Sequence, residues 1–342
     1  MMKKNTIWTL LGVLIVSLVW FTPFASASEF NFGVQTVIPD NQIDKQKSYF
    51  NLKMEPNQKQ TLTIQLRNDT EDDVVIEPKI HSATTNLNGV VEYGPTKAER
   101  DPSLLYELGD LIQTEDEITV PANGSKDLQL HVTMPEEEFQ GILAGGITLE
   151  EKEASSSKDE DTTQGLSIEN KYAYVVGITL QETDEKVKQD LKLHEVEAGQ
   201  VNARNVINAT LQNPTPTYLN RFEVDAVVTK KGKEEELYTS QKQDMQVAPN
   251  SNFEYPISLE GEKFESGTYT LHLKAKSSQE SWEFTKDFTI ENNDAKQFNA
   301  QDVTIEGPNY VWYIVGLLIV LLVGLLAFLF WKRKKKEQET NE

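Results

Sequence analysis

TLTIQLRNDT (residues 61–70) and VINATLQNPT (206–215) align without a gap and close alike, on Leu-x-Asn-x-Thr. In each, apolar residues fall on every second position: Leu62, Ile64 and Leu66 in the first, Ile207, Ala209 and Leu211 in the second. Period-two alternation puts one face of a strand into a core, and an asparagine two residues before a threonine is a turn former. A second echo follows downstream. VPANGSKDLQLHV (120–132) and VAPNSNFEYPISL (247–259) both run from a Val/Pro corner through an Asn/Ser turn into a strand. Each leads on to an aromatic and a glycine, Phe139 with Gly141 and Phe264 with Gly267.

Other segments alternate too, among them Phe222–Val227 and Thr268–Leu273, and no amphipathic helical stretch of useful length separates them. The expected fold class is therefore all-β: two tandem immunoglobulin-like β-sandwich domains, followed by one C-terminal transmembrane α-helix. The spacing of Phe264 to Tyr269 places Tyr269 at a tyrosine corner of the second domain. GGITLEE and YAYVVGITLQE read as a hairpin around the polar stretch EEKEASSSKDEDTTQGLS (150–167), a mobile loop by composition. The first domain is then 28–182 and the second 183–291; a boundary near 155 follows if the polar stretch is the linker.

The ends set the expected location. Lys3 and Lys4, an apolar run and Ala25-Ser26-Ala27 form a signal peptide over 1–27. Residues 292–309 read as a polar stalk, and 310–331 as a membrane helix with Trp312, Tyr313 and Trp331 at its edges. The basic tail 332–342, with Lys332 to Lys336, belongs on the cytoplasmic side. The expected product is a single-pass cell-membrane protein with its ectodomain outside. Removing Lys3, Lys4 and five tail cations from 33 Lys+Arg, and three tail glutamates from 54 Asp+Glu, leaves the ectodomain near −25. Such a charge argues against nucleic acid or anionic lipid as a partner.

No cysteine is present, so thiol chemistry, disulfides and Cys-ligated metals are out. His81, His131, His194 and His272 are scattered, and no nucleophile-base, Walker or zinc motif occurs. The expectation is a protein that is not an enzyme and has no metal or cofactor.

The repeat also locates a difference. Leu66 to Val120 spans 54 positions and Leu211 to Val247 spans 36, so the first domain carries about 18 extra residues. HSATTNLNGVVEYG (81–94) opens that interval, and Asn88-Gly89 in it reads as a type I′ hairpin turn with Gly89 structural. Thr84, Thr85, Asn86 and Asn88 supply hydrogen-bonding groups on its flanks. Tyr93 and Tyr106 offer aromatic platforms within the interval, with Tyr49 upstream. An insertion on a repeated framework is the natural carrier of a domain's own function, so these are the candidate ligand-binding residues.

FGVQTVIPDNQID, SYFNLKMEPNQKQTLTIQLRNDTEDDVVI, ATTNLNGVVEY, MPEEEFQGILAGGI and NKYAYVVGITL, in that order, resemble the WxL-interacting proteins of Gram-positive bacteria. The resemblance covers nearly the whole ectodomain. It implies an N-terminal domain that binds peptidoglycan and a C-terminal domain that binds host proteins. It further implies a partner that is a WxL-domain cell-surface protein, in adhesion or surface attachment. Trp8-Thr9-Leu10 is the sole W-x-L, within the signal peptide, and no LPxTG precedes the terminal helix. The alternative is a purely protein-interaction module that adds a partner strand to an exposed sheet edge, without wall binding.

Overall fold

The computed structural model describes residues 31–152, 172–305 and 310–339, with side chains of the last stretch described at 313–329. The expected signal peptide and most of the expected mobile loop lie outside the described residues.

The first sandwich has one sheet in the order β1 (Phe32–Val37), β3 (Lys59–Asn68), β9 (Gly124–Thr133), β7 (Ile112–Gln113). Its second sheet runs β2 (Phe50–Lys53), β11 (Ala173–Gln181), β10 (Leu143–Glu151), β4 (Val74–Ser82), β8 (Ile118–Val120). The alternating residues Leu62, Ile64 and Leu66 of β3 meet Ile76, Ile147 and Ile178 in one buried cluster. β10 and β11 pair antiparallel from Leu143↔Leu180 to Glu150↔Ala173, so the strand after the polar loop completes the first sandwich.

The second sandwich packs β12 (Lys192–Val201), β13 (Arg204–Asn213) and β16 (Ser251–Ser258) over a four-stranded sheet. That sheet runs β15 (Glu236–Val247), β14 (Leu219–Lys230), β17 (Gly267–Lys276), β18 (Ser281–Ile290). Its separate core includes Leu211, Phe222, Tyr255 and Tyr269. The Tyr269 hydroxyl donates to the Glu265 carbonyl at 2.8 Å, which is the tyrosine corner.

The sequence repeat is a structural repeat. Asn68 Nδ2 donates to the carbonyls of Asp72 (2.8 Å) and Val120 (3.1 Å), while its Oδ1 accepts from Thr70 N (2.9 Å) and Oγ1 (2.7 Å). Asn213 does the same with Thr217 O (2.7 Å), Ala248 O (2.8 Å), Thr215 N (3.1 Å) and Thr215 Oγ1 (2.6 Å). The second motif repeats as well: Asn123 (φ 50°) and Asn250 (φ 47°) both take the left-handed conformation that asparagine tolerates. Their amides bond the Thr70 and Thr215 carbonyls. Leu-x-Asn-x-Thr is therefore a buried side chain that satisfies two loop carbonyls at once. Asn213→Ala strands those groups and lowers stability by about 2 kcal/mol, read as a lower denaturant midpoint at unchanged m-value. Asn68→Ala has the same sign and size.

One feature departs from expectation. Part of the expected stalk is α2 (Asn292–Gln301), preceded in the chain by α1 (Leu108–Leu111) in the first sandwich. Residues Ala295 and Phe298 seat α2 on the second sandwich, Phe298 lying 5.9 Å from the Phe264 ring. Asn299 brackets Phe264, accepting from its amide at 2.8 Å and donating to its carbonyl at 2.9 Å. Two apolar contacts one turn apart give almost no amphipathic signal, and so the helix is invisible in sequence. The expected membrane segment coincides with α3 (Tyr310–Glu339). Among the described residues, which include the side chains of this helix only at 313–329, no helix is long and apolar enough to cross a membrane.

Candidate functional site

The inserted interval points toward the second sandwich. β5 (Thr84–Thr85) and β6 (Val91–Glu92) form the expected hairpin, but its turn is not the expected type I′. Within it only Gly89 has positive φ, and the Gly89 amide bonds the Asn86 carbonyl at 2.9 Å. Asn86 closes it, its Oδ1 accepting from the amides of Asn88 (2.9 Å) and Val90 (3.1 Å). Gly89, at φ 66°, sits on Met245: a β-carbon there would lie 2.3 Å from the Met245 sulfur. The Gln246 amide donates to the Gly89 carbonyl at 2.9 Å, and Lys242 Nζ reaches Asn88 Oδ1 at 3.3 Å. Thr85 is buried, its hydroxyl accepting from the Ala248 amide at 2.9 Å. Ala83, Ala144 and Ala248 form a small apolar contact with Tyr93, Ile142 and Tyr218 packed against it.

Farther along the insertion, Asp101 is buried and spans the same seam. Its carboxylate accepts twice from Gln212 Nε2 (2.9 Å each) and from Asn252 Nδ2 (3.0 Å), as well as from Ser103 N (2.9 Å) and Oγ (2.6 Å). Burial alone raises an acid's pKa, but the bonds from Ser103, Asn252 and Gln212 outweigh it and hold this carboxyl below its ordinary value. A third contact is at Gly141 (φ 84°), where a β-carbon would lie 2.3 Å from the Pro216 carbonyl oxygen.

Beside the seam a groove of about 840 Å³ opens on the first sandwich. Its floor is β11, its walls are β1 and residues 47–51, and its inner end is closed by Tyr93, Ile142, Tyr218, Asn220 and Gln246. Four tyrosines line it: Tyr49, Tyr93, Tyr174 and Tyr218. The Tyr174 ring meets the Phe32 ring edge-on at 5.2 Å, and Lys47 Nζ lies 5.1 Å above the Tyr49 ring. The hydroxyls of Tyr93 and Tyr218 are 3.2 Å apart across the seam. Burial raises the pKa of both phenols, with mutual interaction adding to the rise at Tyr218, so both stay protonated. Gln246 Nε2 donates to Asn220 Oδ1 at 2.6 Å. Tyrosine faces interleaved with amides and hydroxyls suit a polar ring-containing ligand, stacking on its apolar faces and bonding its rim.

Among the expected binding residues of the insertion only Tyr93 lines this groove, joined by Tyr49 from upstream. Thr84 lines a smaller cavity of about 250 Å³ that also includes His81 and Arg100. Thr85 and Asn88 are engaged with the second sandwich, Asn86 holds its own turn, and Gly89 is the contact point on Met245. Tyr106 packs at 6.3 Å from the buried Phe139 ring. The sequence reading put a presented surface where the structure has a clasp, because small polar residues serve close packing between domains as well as they serve a ligand. Lys47, Tyr174 and Tyr218 carry no signal in the sequence; they come from three distant segments, and no local pattern joins them. Among the described residues no group of His, Asp or Glu could hold a metal ion.

Two β-sandwiches joined by a clasp, with an aromatic groove at the joint, are the architecture of a binding protein. The chain belongs to the WxL-interacting protein family. Residues 32–151 match the family's peptidoglycan binding domain and residues 163–300 its host binding domain. β11 falls within the second match although it completes the first sandwich. A comparison with the curated proteins finds no match. Solved structures that align include the E. coli chaperone DraB, at 16% identity over 76% of this chain and 98% of that one, TM-score 0.28. A chaperone-tip adhesin complex of CFA/I fimbriae biogenesis aligns at 10% identity over 76% and 98%, TM-score 0.31. At those scores neither carries an argument about this chain.

Proposed function

We propose that this chain is a non-enzymatic, membrane-anchored surface scaffold that holds peptidoglycan in the tyrosine-lined groove. The observation that carries the reading is the groove itself, about 840 Å³ with four tyrosines and an amide-rich rim. Its walls at 34–36 and 47–51 lie in the peptidoglycan binding domain match, while β11, Tyr218, Asn220 and Gln246 lie in the host binding domain match. The second sandwich then faces outward to a WxL-domain surface protein or a host protein, a reading supported by the host binding domain match. The anchor is α3, supported by the charge-free run from Val311 to Trp331 and the Lys332–Lys336 cluster after it. The signal peptide and the cytoplasmic tail complete this topology.

The test is co-sedimentation of the detergent-solubilised full chain with purified peptidoglycan. Tyr49→Ala removes a groove wall and weakens binding about tenfold, the worth of one lost aromatic contact. The melting temperature stays unchanged. Equal sedimentation of wild type and variant would remove the groove from consideration. A second reading is favoured by one feature: β2 pairs with β11 only over Ile178–Gln181, leaving exposed Val175 beyond that pairing at the groove. An extended partner strand added there would make binding depend on a protein partner and leave sedimentation with the bare wall at background.

A further inference from the structure

We infer that the groove holds a subsite for a carboxylate of the wall's peptide stem, formed by Lys47, Tyr93 and Tyr218 and so by both sandwiches together. This rests on the groove being the wall-binding site and names which part of the wall it reads.

The first argument is charge. The chain has 54 acidic residues against 33 basic ones, yet the groove lining contains no carboxylate and one cation, Lys47. That lysine is half-buried, and its ammonium rests over Tyr49 rather than against an acid. An ammonium seated over a ring in a groove without carboxylates, in so acidic a protein, is poised for an anion brought by the ligand.

The second argument is the donor count. The Tyr93 and Tyr218 hydroxyls bond to each other at 3.2 Å. One hydrogen is used in that bond, and the other hydroxyl is left with a hydrogen to donate outward. Both phenols remain protonated, being buried. Lys47 lines the same groove as the two hydroxyls, so ammonium and phenols are offered to one ligand. An ammonium and a phenol offered together match the lone pairs of an oxyanion; a neutral sugar has no use for the ammonium. Tyr218 belongs to the second sandwich, so the subsite is incomplete in the first alone.

Phosphate on a teichoic polymer shares the anionic chemistry. The tyrosine faces along the rest of the groove favour a ligand that carries sugar rings beside its charge, and a muropeptide does.

The experiment is calorimetric titration of the detergent-solubilised full chain. The probes are a disaccharide-tetrapeptide with free stem carboxylates, the same compound amidated, and a glycerol-phosphate oligomer. Wild type binds the free acid about tenfold tighter than the amide, the effect of one charge-assisted hydrogen bond. Lys47→Met brings that ratio close to one, and the double variant Tyr93→Phe, Tyr218→Phe reduces it. A wild-type ratio near one, or a ratio that survives Lys47→Met, overturns the carboxylate subsite while leaving wall binding in place. Tighter binding of the glycerol-phosphate oligomer than of the free acid, abolished by Lys47→Met, overturns it in favour of phosphate. Should neither disaccharide bind, the wall-binding reading itself falls.

Discussion

Asp101→Ala lowers the unfolding free energy by about 4 kcal/mol, the scale expected when a buried charged acceptor is taken from several donors. The side chain is 4% exposed and accepts from Gln212, Asn252 and Ser103. Truncation leaves the two amides facing a void with no acceptor. Asp101→Asn does little better, since one carboxylate oxygen becomes an amide that opposes its donors. Because Gln212 and Asn252 are in the second sandwich, the loss falls on the seam, and a single calorimetric transition separates into two. The pH dependence has a definite sign. The folded pKa of Asp101 is depressed below its ordinary value of 3.8, so its contribution is full above that value and fades as pH falls through the lower, folded one. Wild-type and Asp101→Ala melting temperatures therefore run parallel near neutrality and converge in strong acid.

Gly89→Val costs about 4 kcal/mol and acts on the same seam from the other end. A β-branched residue at φ 66° is strained by about 1–2 kcal/mol, and its β-carbon would start 2.3 Å from the Met245 sulfur. Overpacking of that kind adds about 1–3 kcal/mol, and the hairpin must leave Met245 and give up the Gln246–Gly89 backbone bond. Met245→Ala relieves the clash without relieving the strain. Met245→Ala itself costs about 2–5 kcal/mol, since Met245 is buried in the second core. On that background Gly89→Val costs roughly half of what it costs in the wild type, a coupling that a double-mutant cycle reads directly. Full additivity would mean that the hairpin does not rest on Met245.

The framework was legible because its signals are local. Leu62, Ile64 and Leu66 alternate within one strand, and Asn68 bonds its own corner, so a single sequence holds the whole pattern. Repetition at Asn213 supplied the second domain. The GGITLEE and YAYVVGITLQE segments were readable as a pair for a similar reason, their alternation bracketing one polar stretch.

The joint between domains was not legible, and the reason is physical. A difference in spacing reveals that the first domain has an insertion but carries no information on its direction. Thr85 and Ala248 are 163 positions apart, and Asp101 and Gln212 are 111; nothing in either segment marks the other. The one available signal was size: Ala83, Thr84, Thr85 and Gly89 are small, as close packing requires. Tyr218 reads as an ordinary strand residue until the fold sets its hydroxyl 3.2 Å from that of Tyr93. Part of the groove is thus readable, through Tyr49 and Tyr93, and its completion by the second sandwich is a tertiary fact.

Amide hydrogen exchange of the full chain, with and without a soluble disaccharide-tetrapeptide, tests most directly whether one groove shared by both sandwiches holds the wall. Slowed exchange is expected together at residues 47–51 and 175–179 of the first sandwich and at 218–220 of the second, with the hairpin at 84–90 unchanged. Protection confined to the hairpin, or present in the first sandwich with none at 218–220, would contradict a shared site.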